Sequence, residues 1–77
     1  MKELVLNGIY KHYKGNLYKA VCVAKDSETL DELVVYQSLQ DDCFWVRPRK
    51  MFLETVMIDG KKVERFALAM KYKQGGD

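Results

Sequence analysis

The 77-residue chain has one histidine, one proline, one tryptophan and two cysteines, and most of these shortages remove a class of function. Cys22 and Cys43 have twenty residues between them and form no CxxC pair, whereas small disulfide-built secreted scaffolds carry about four to eight cysteines. Reduced, buried thiols are therefore expected. A single histidine, His12, without clustered Cys or Asp, cannot supply the ligand set of a structural zinc site. No metal and no cofactor is expected. The longest run free of charged residues is Leu33 to Gln40, eight residues, where a membrane helix needs about 20. The opening Met1-Lys2-Glu3-Leu4-Val5-Leu6-Asn7-Gly8 sets an acid beside its base, and its apolar stretch is too short for the core of a signal peptide. The sequence reads as cytoplasmic, with no membrane partner.

Charge of one sign is also lacking. Thirteen Lys and Arg stand against eleven Asp and Glu, a net charge of +2, and the pI near 8.5 falls short of the roughly 9 expected of a strong phosphate footprint. What is present is a globular composition, 48% hydrophobic and 31% charged, which argues against disorder. A chain of this size makes one domain and buries only about 60% of the surface its unfolded form exposes. A large catalytic cleft between lobes is excluded. There is no repeat or low-complexity tract. Residues 1–70 are read as a single domain, and Lys71 to Asp77 as a flexible C-terminal tail.

Ile9 to Tyr13 is rich in β-favouring residues, and Gly15-Asn16 separates it from the apolar run Leu17 to Ala24. This predicts a first hairpin with a two-residue turn on Gly15-Asn16. The second strand shows apolar groups on both faces beyond Lys19, as if covered on both sides. After a polar loop, Leu30 to Leu39 is contested. Leu30, Leu33, Val34 and Gln37 have helical spacing behind a Thr29/Glu32 capping box. The stiff run Val34-Val35-Tyr36 favours a pleated strand, and a strand is the reading taken. Cys43 to Arg47 is a further strand that must end near Pro48, which has no N–H for a ladder. Arg49-Lys50-Met51 then turns the chain.

The strongest local signal is Asp59-Gly60, the preferred pair for a type I′ turn. Pairing Ile58 with Lys61 sets Val56 against Val63, Glu54 against Arg65 and Leu53 against Phe66. A one-residue slip would lose all three. The fold class that follows is all-β, a small SH3-like antiparallel barrel of five to six short strands.

The residues Gly8-x-Tyr10-x-His12-Tyr13-Lys14-Gly15-Asn16-x-Tyr18, Ser27-Glu28-Thr29, Val34-Val35-Tyr36 and Trp45-Val46-Arg47-Pro48-x-x-Met51-Phe52-x-Glu54 occur together in this order. With them the chain resembles the short bacterial proteins of domain-of-unknown-function family sixteen fifty-three, over roughly residues 8–68. The resemblance implies a small β-barrel and supports the strand at Val34 to Tyr36. It carries over no activity and no catalytic residue.

Candidate contacts come from the residues themselves. His12 is the one side chain whose ordinary pKa lies between pH 5 and 8, and it stands among Tyr10, Tyr13 and Lys14. Trp45 and Arg47 are two apart and share a strand face, as do Tyr10 and His12. Trp45 is either core with Arg47 covering it, or an open platform beside a cation. The second arrangement, with Tyr36 and Arg49, makes Tyr10, His12, Lys14, Tyr36, Trp45, Arg47 and Arg49 the candidate binding residues of a non-enzymatic module for a protein or peptide. Single-stranded nucleic acid, stacked on the aromatics and held by the bases, is the alternative. An enzyme or small-molecule site ranks third, because no nucleophile, base and orienting group are nominated together.

Overall fold

The computed structural model describes residues 3–70; the expected tail 71–77 lies outside them. In chain order the strands are β1 (Ile9–His12), β2 (Leu17–Lys25), β3 (Glu32–Ser38), β4 (Phe44–Pro48), β5 (Thr55–Ile58), β6 (Lys61–Glu64) and β7 (Phe66–Met70). One helical turn, α1 (Arg49–Phe52), follows β4. The strands pair antiparallel in two sheets, a five-stranded one in the order β4-β3-β2-β1-β7 and the β5-β6 hairpin. The all-β reading holds, with seven strands where five or six were expected. The ladder of the large sheet runs from β4 to β7 and stops there. Among the described residues no helix is long and apolar enough to cross a membrane.

The contested segment is strand β3. Tyr36 sits between Ala20 of β2 and Trp45 of β4, and Val34 between Val23 and Arg47, so the β-branched and aromatic side chains pack across strands on both sides. The Thr29 hydroxyl accepts from the Asp31 N–H at 3.2 Å, which closes a turn rather than capping a helix. The last hairpin has the predicted register, with Ile58 opposite Lys61 and Val56 opposite Val63. Asp59 and Gly60 both have positive φ, 51° and 79°, as a type I′ turn requires. Glu54 and Arg65 form an ion pair at 3.0 Å. The ladder itself ends at Thr55 and Glu64, so Leu53 and Phe66 are not a pair within it.

Three local expectations are corrected. The first turn is not the two-residue Gly15-Asn16 turn but the three-residue loop Tyr13-Lys14-Gly15. Gly15 N–H donates to the His12 carbonyl at 2.7 Å and His12 N–H to that of Asn16 at 2.9 Å. Gly15 supplies the left-handed residue at φ 115° that such a loop needs after its turn. Strand β2 is not covered on both sides either. A register shift between Ala20 and Cys22 turns Val23 rather than Cys22 toward the face of Ala20, and Cys22 is exposed. Cys43 is exposed as well, so the two thiols are free but not buried.

The core consists of Tyr10, Ala20, Val34, Tyr36, Phe52 and Phe66. Its centre is aromatic. Phe52 and Phe66 stack at 4.1 Å with 8° between their planes, while Tyr10 meets Phe52 edge-on at 5.1 Å and Tyr36 meets Phe66 at 5.3 Å. Edge-to-face and offset contacts of this kind add to the burial of large apolar area. The short helix α1 serves chiefly to drop Phe52 into this cluster.

Candidate functional site

The five strands of the large sheet converge on a cleft of about 190 Å³. β1 contributes His12, β2 Tyr18, β3 Tyr36, β4 Trp45 and Arg47, and β7 Phe66; the first turn adds Lys14 and Asn16. Register explains the convergence. Residues directly opposite share a face, and Trp45 is opposite Tyr36, Arg47 opposite Val34, and His12 opposite Phe66. All of these therefore stand on the side of the sheet that carries the core. Tyr18 meets Tyr36 at 5.3 Å and Phe66 at 5.7 Å, edge-on in both cases. The floor of the cleft is the outer surface of the aromatic core.

His12 forms one wall. Its ring stacks on Tyr13 at 4.5 Å and lies edge-on to Phe66 at 4.8 Å. Its Nδ1 accepts the Lys14 N–H at 3.1 Å, so the neutral ring carries its proton on Nε2 as a donor. Burial lowers its pKa below the ordinary 6.5, and the positive charges of Arg47, Lys14 and Arg65 push in the same direction. The sign of the consequence follows from linkage. A base whose folded pKa is depressed contributes stability in full above about pH 6.5, and loses it as pH falls through the folded value. Asp26 and Asp41, whose carboxylates accept backbone N–H bonds, are held below 3.8 and act at lower pH. The urea midpoint should therefore drop between pH 7.5 and pH 5 in the native chain. Replacing His12→Gln should flatten that drop, and an unchanged slope in the variant would exclude His12 as its source.

Arg47 forms the opposite rim. Its Nε donates a long hydrogen bond to the Tyr36 hydroxyl at 3.5 Å, and its guanidinium carbon lies 5.8 Å from the centroid of Phe66. It makes no ion pair among the described residues, unlike Arg65 with Glu54 at 3.0 Å and Arg49 with Glu32 at 2.9 Å. Among the described residues no carboxylate lines the cleft. The polar groups there are the donors of His12, Lys14, Asn16, Trp45 and Arg47, with the Tyr hydroxyls.

Trp45 is 52% exposed, which overturns the alternative that it belongs to the core. Its truncation should then leave the domain folded. Trp45→Ala is expected to lower stability by about 1 kcal/mol or less, as read by urea unfolding; a loss of several would return it to the core.

Of the seven residues expected to make contacts, the structure brings together His12, Lys14, Tyr36, Trp45 and Arg47. Tyr10 and Arg49 lie outside this cleft. Tyr10 is buried, accepts the Val5 N–H on its hydroxyl at 2.9 Å and packs on Phe52. Arg49 leaves the face at the end of β4, pairs with Glu32 and lines a separate open cavity of about 520 Å³ with Leu30, Pro48, Leu53 and Lys50. Asn16, Tyr18 and Phe66 were missed. The two-residue turn expected at Gly15-Asn16 sets Tyr18 opposite Tyr13, whereas it lies opposite Tyr10, and Phe66 enters through the β1-β7 pairing, which nothing local announces. Cys43 lies apart from the cleft, and the Asp41 carboxylate beside it, with burial and Asp42, pushes its thiol pKa upward, away from a reactive thiolate. Among the described residues no group of three His, Cys, Asp or Glu side chains could hold a metal ion.

Fold and site together define an antiparallel all-β domain whose sheet carries an aromatic cleft rimmed by cations. A family model described as protein of unknown function (DUF1653) matches residues 8–68, and the chain belongs to that family. It is similar to a crystal structure of a DUF1653 protein from Bordetella bronchiseptica, with 31% identity over 88% of this chain and 91% of that one and a TM-score of 0.75. No curated protein matches the chain.

Proposed function

We propose that the domain is a non-enzymatic binding module that seats a side chain of a protein or peptide partner in the cleft between His12 and Arg47. The observation that carries this reading is the cleft itself, to which every strand of the large sheet contributes. It is apolar at the floor, polar at the rim and small, as a side-chain pocket should be. The strand order β4-β3-β2-β1-β7 with a helical turn after β4 agrees with an SH3-like barrel, a scaffold whose aromatic grooves hold extended peptides. Against catalysis, the cleft sets His12 beside Lys14 and Arg47 with no orienting carboxylate among the described residues, and neither thiol lines it.

Single-stranded nucleic acid remains the second reading, favoured by an exposed Trp45 beside Arg47, since stacking on such a ring contributes about 1–3 kcal/mol per base. Amide NMR titration of the ¹⁵N-labelled chain decides between them. A degenerate library of capped heptapeptides is expected to shift His12, Lys14, Trp45 and Arg47, with modest salt dependence. Shifts at the same residues with a mixed octanucleotide alone, collapsing steeply with salt, would replace the peptide reading.

A further inference from the structure

Strand β4 is the outer strand of its sheet, and its pattern extends the binding reading. The Cys43 carbonyl accepts from the Ser38 N–H at 2.9 Å, and β4 then pairs with β3 without a register shift. In an antiparallel ladder this points the main-chain groups of Cys43, Trp45 and Arg47 toward β3 and those of Phe44 and Val46 toward the open edge. Pro48 falls next in that outward series and has no N–H to leave unpaired. No strand pairs with this edge among the described residues. The side chains alternate too. Trp45 and Arg47 stand over the cleft, while Phe44 and Val46 stand on the opposite face, 63% and 60% exposed. Large apolar side chains on a bare strand edge are what native proteins ordinarily cover; Arg47 and Pro48 blunt only the far end of β4, and no strand of the described residues covers Phe44 and Val46.

Resting on the binding function proposed above, we infer that β4 is an acceptor edge for an extended acidic peptide, which adds as a sixth strand to the large sheet and places a carboxylate side chain on Arg47 at the cleft mouth. Backbone pairing with Phe44 and Val46 supplies the affinity common to strand addition, and alternate side chains supply the selectivity. The side chain beside Arg47 meets a guanidinium that makes no ion pair among the described residues, at the mouth of a cleft that Lys14 also lines and to which no carboxylate of the described residues contributes, so an acidic residue is favoured there. Its neighbours in the partner strand lie over Phe44 and Val46 and are apolar. The partner segment thus alternates acidic and apolar residues. A second copy of this chain fits the edge less well, because pairing β4 with itself brings two cationic clefts side by side.

The test uses the intact chain and three capped peptides. One is acetyl-Ser-Val-Glu-Val-Glu-Val-Ser-amide, the second carries Gln for Glu, and the third keeps Glu but is N-methylated at alternate amides. The acidic peptide should shift the Phe44, Val46 and Arg47 amides, slow hydrogen exchange at Phe44 and Val46, and bind about tenfold more tightly than the Gln peptide, a difference of one charge-assisted contact. Arg47→Gln, which keeps the fold as judged by amide dispersion, should erase that difference. Equal binding of the Gln peptide at the same residues would remove the acidic specificity while leaving the binding cleft standing. Equal binding of the N-methylated peptide would overturn strand addition. No peptide binding, with a mixed oligonucleotide bound at the cleft, would overturn both readings. A solution mass twice the monomer's, lost in a Val46→Lys variant, would assign the edge to a second copy instead.

Discussion

Phe52→Ala is expected to cost the domain a large share of its stability. Phe52 is fully buried and is the one core side chain supplied by α1, so no neighbouring position on that single helical turn can refill the space. It stacks on Phe66 and also touches Tyr10 and Tyr36, at 4.1, 5.1 and 5.3 Å between centroids. Truncating a buried Phe costs about 3–5 kcal/mol, and a 77-residue domain has a total stability of about 4–12 kcal/mol at the usual value per residue. Urea unfolding followed by tryptophan fluorescence reads the outcome directly, since Trp45 is a single reporter. Trp45→Ala, read by circular dichroism, is the matched control at an exposed ring. If the two variants lose the same small amount, the aromatic cluster is not what holds the sheet together.

Gly8→Ala should have the second largest effect, a loss of about 1–3 kcal/mol from overpacking. A methyl group built on Gly8 meets the Val5 carbonyl oxygen and Leu68 Cδ1, each at 3.0 Å, and Val5 Cγ1 at 3.2 Å. Leu68 can rotate, but Val5 cannot yield readily. Its carbonyl accepts the Gly8 N–H at 3.1 Å, and its own N–H donates to the Tyr10 hydroxyl at 2.9 Å. Gly8 is pinned on its other side by the Ala20 N–H on its carbonyl at 3.0 Å. The strain therefore passes into the segment that anchors Tyr10. A midpoint of urea unfolding unchanged from the native chain would show that this turn is looser than its contacts imply.

The sequence was most legible where a signal was local. Asp59-Gly60 announces its own turn geometry, and once the turn is placed the alternation of Val56, Val63, Glu54 and Arg65 leaves one acceptable register. Val34 to Tyr36 likewise announce a strand through their stiff side chains. Where the deciding contact was distant, the reading erred. Tyr10 and His12 share a face and look equivalent in sequence, yet the first lies under Phe52 and the second at the open end of its strand beside Phe66. Arg49 reads like Arg47 continued, but a carboxylate seventeen residues earlier, Glu32, takes it away. The extra residue in β2 was invisible for a different reason: a bulge changes face parity without any residue type that marks it. The cleft was thus half legible, through the strand pairs that bring Tyr36 to Trp45, and half hidden in the pairing of β1 with β7.

Phe66 touches the rings of His12, Tyr18, Tyr36 and Phe52, and so belongs to the cleft and to the folding core together. A residue with both duties has little freedom to drift. Any change at Phe66 or Tyr36 that reshaped the floor for a new ligand would first cost fold stability, whereas Lys14, Asn16, Trp45 and Arg47 at the rim can vary at little structural cost. Substitution should therefore be tolerated chiefly at four rim positions above a floor that folding fixes. A saturation-mutagenesis library of this chain, sorted once for folded protein and once for ligand capture, should separate along that boundary.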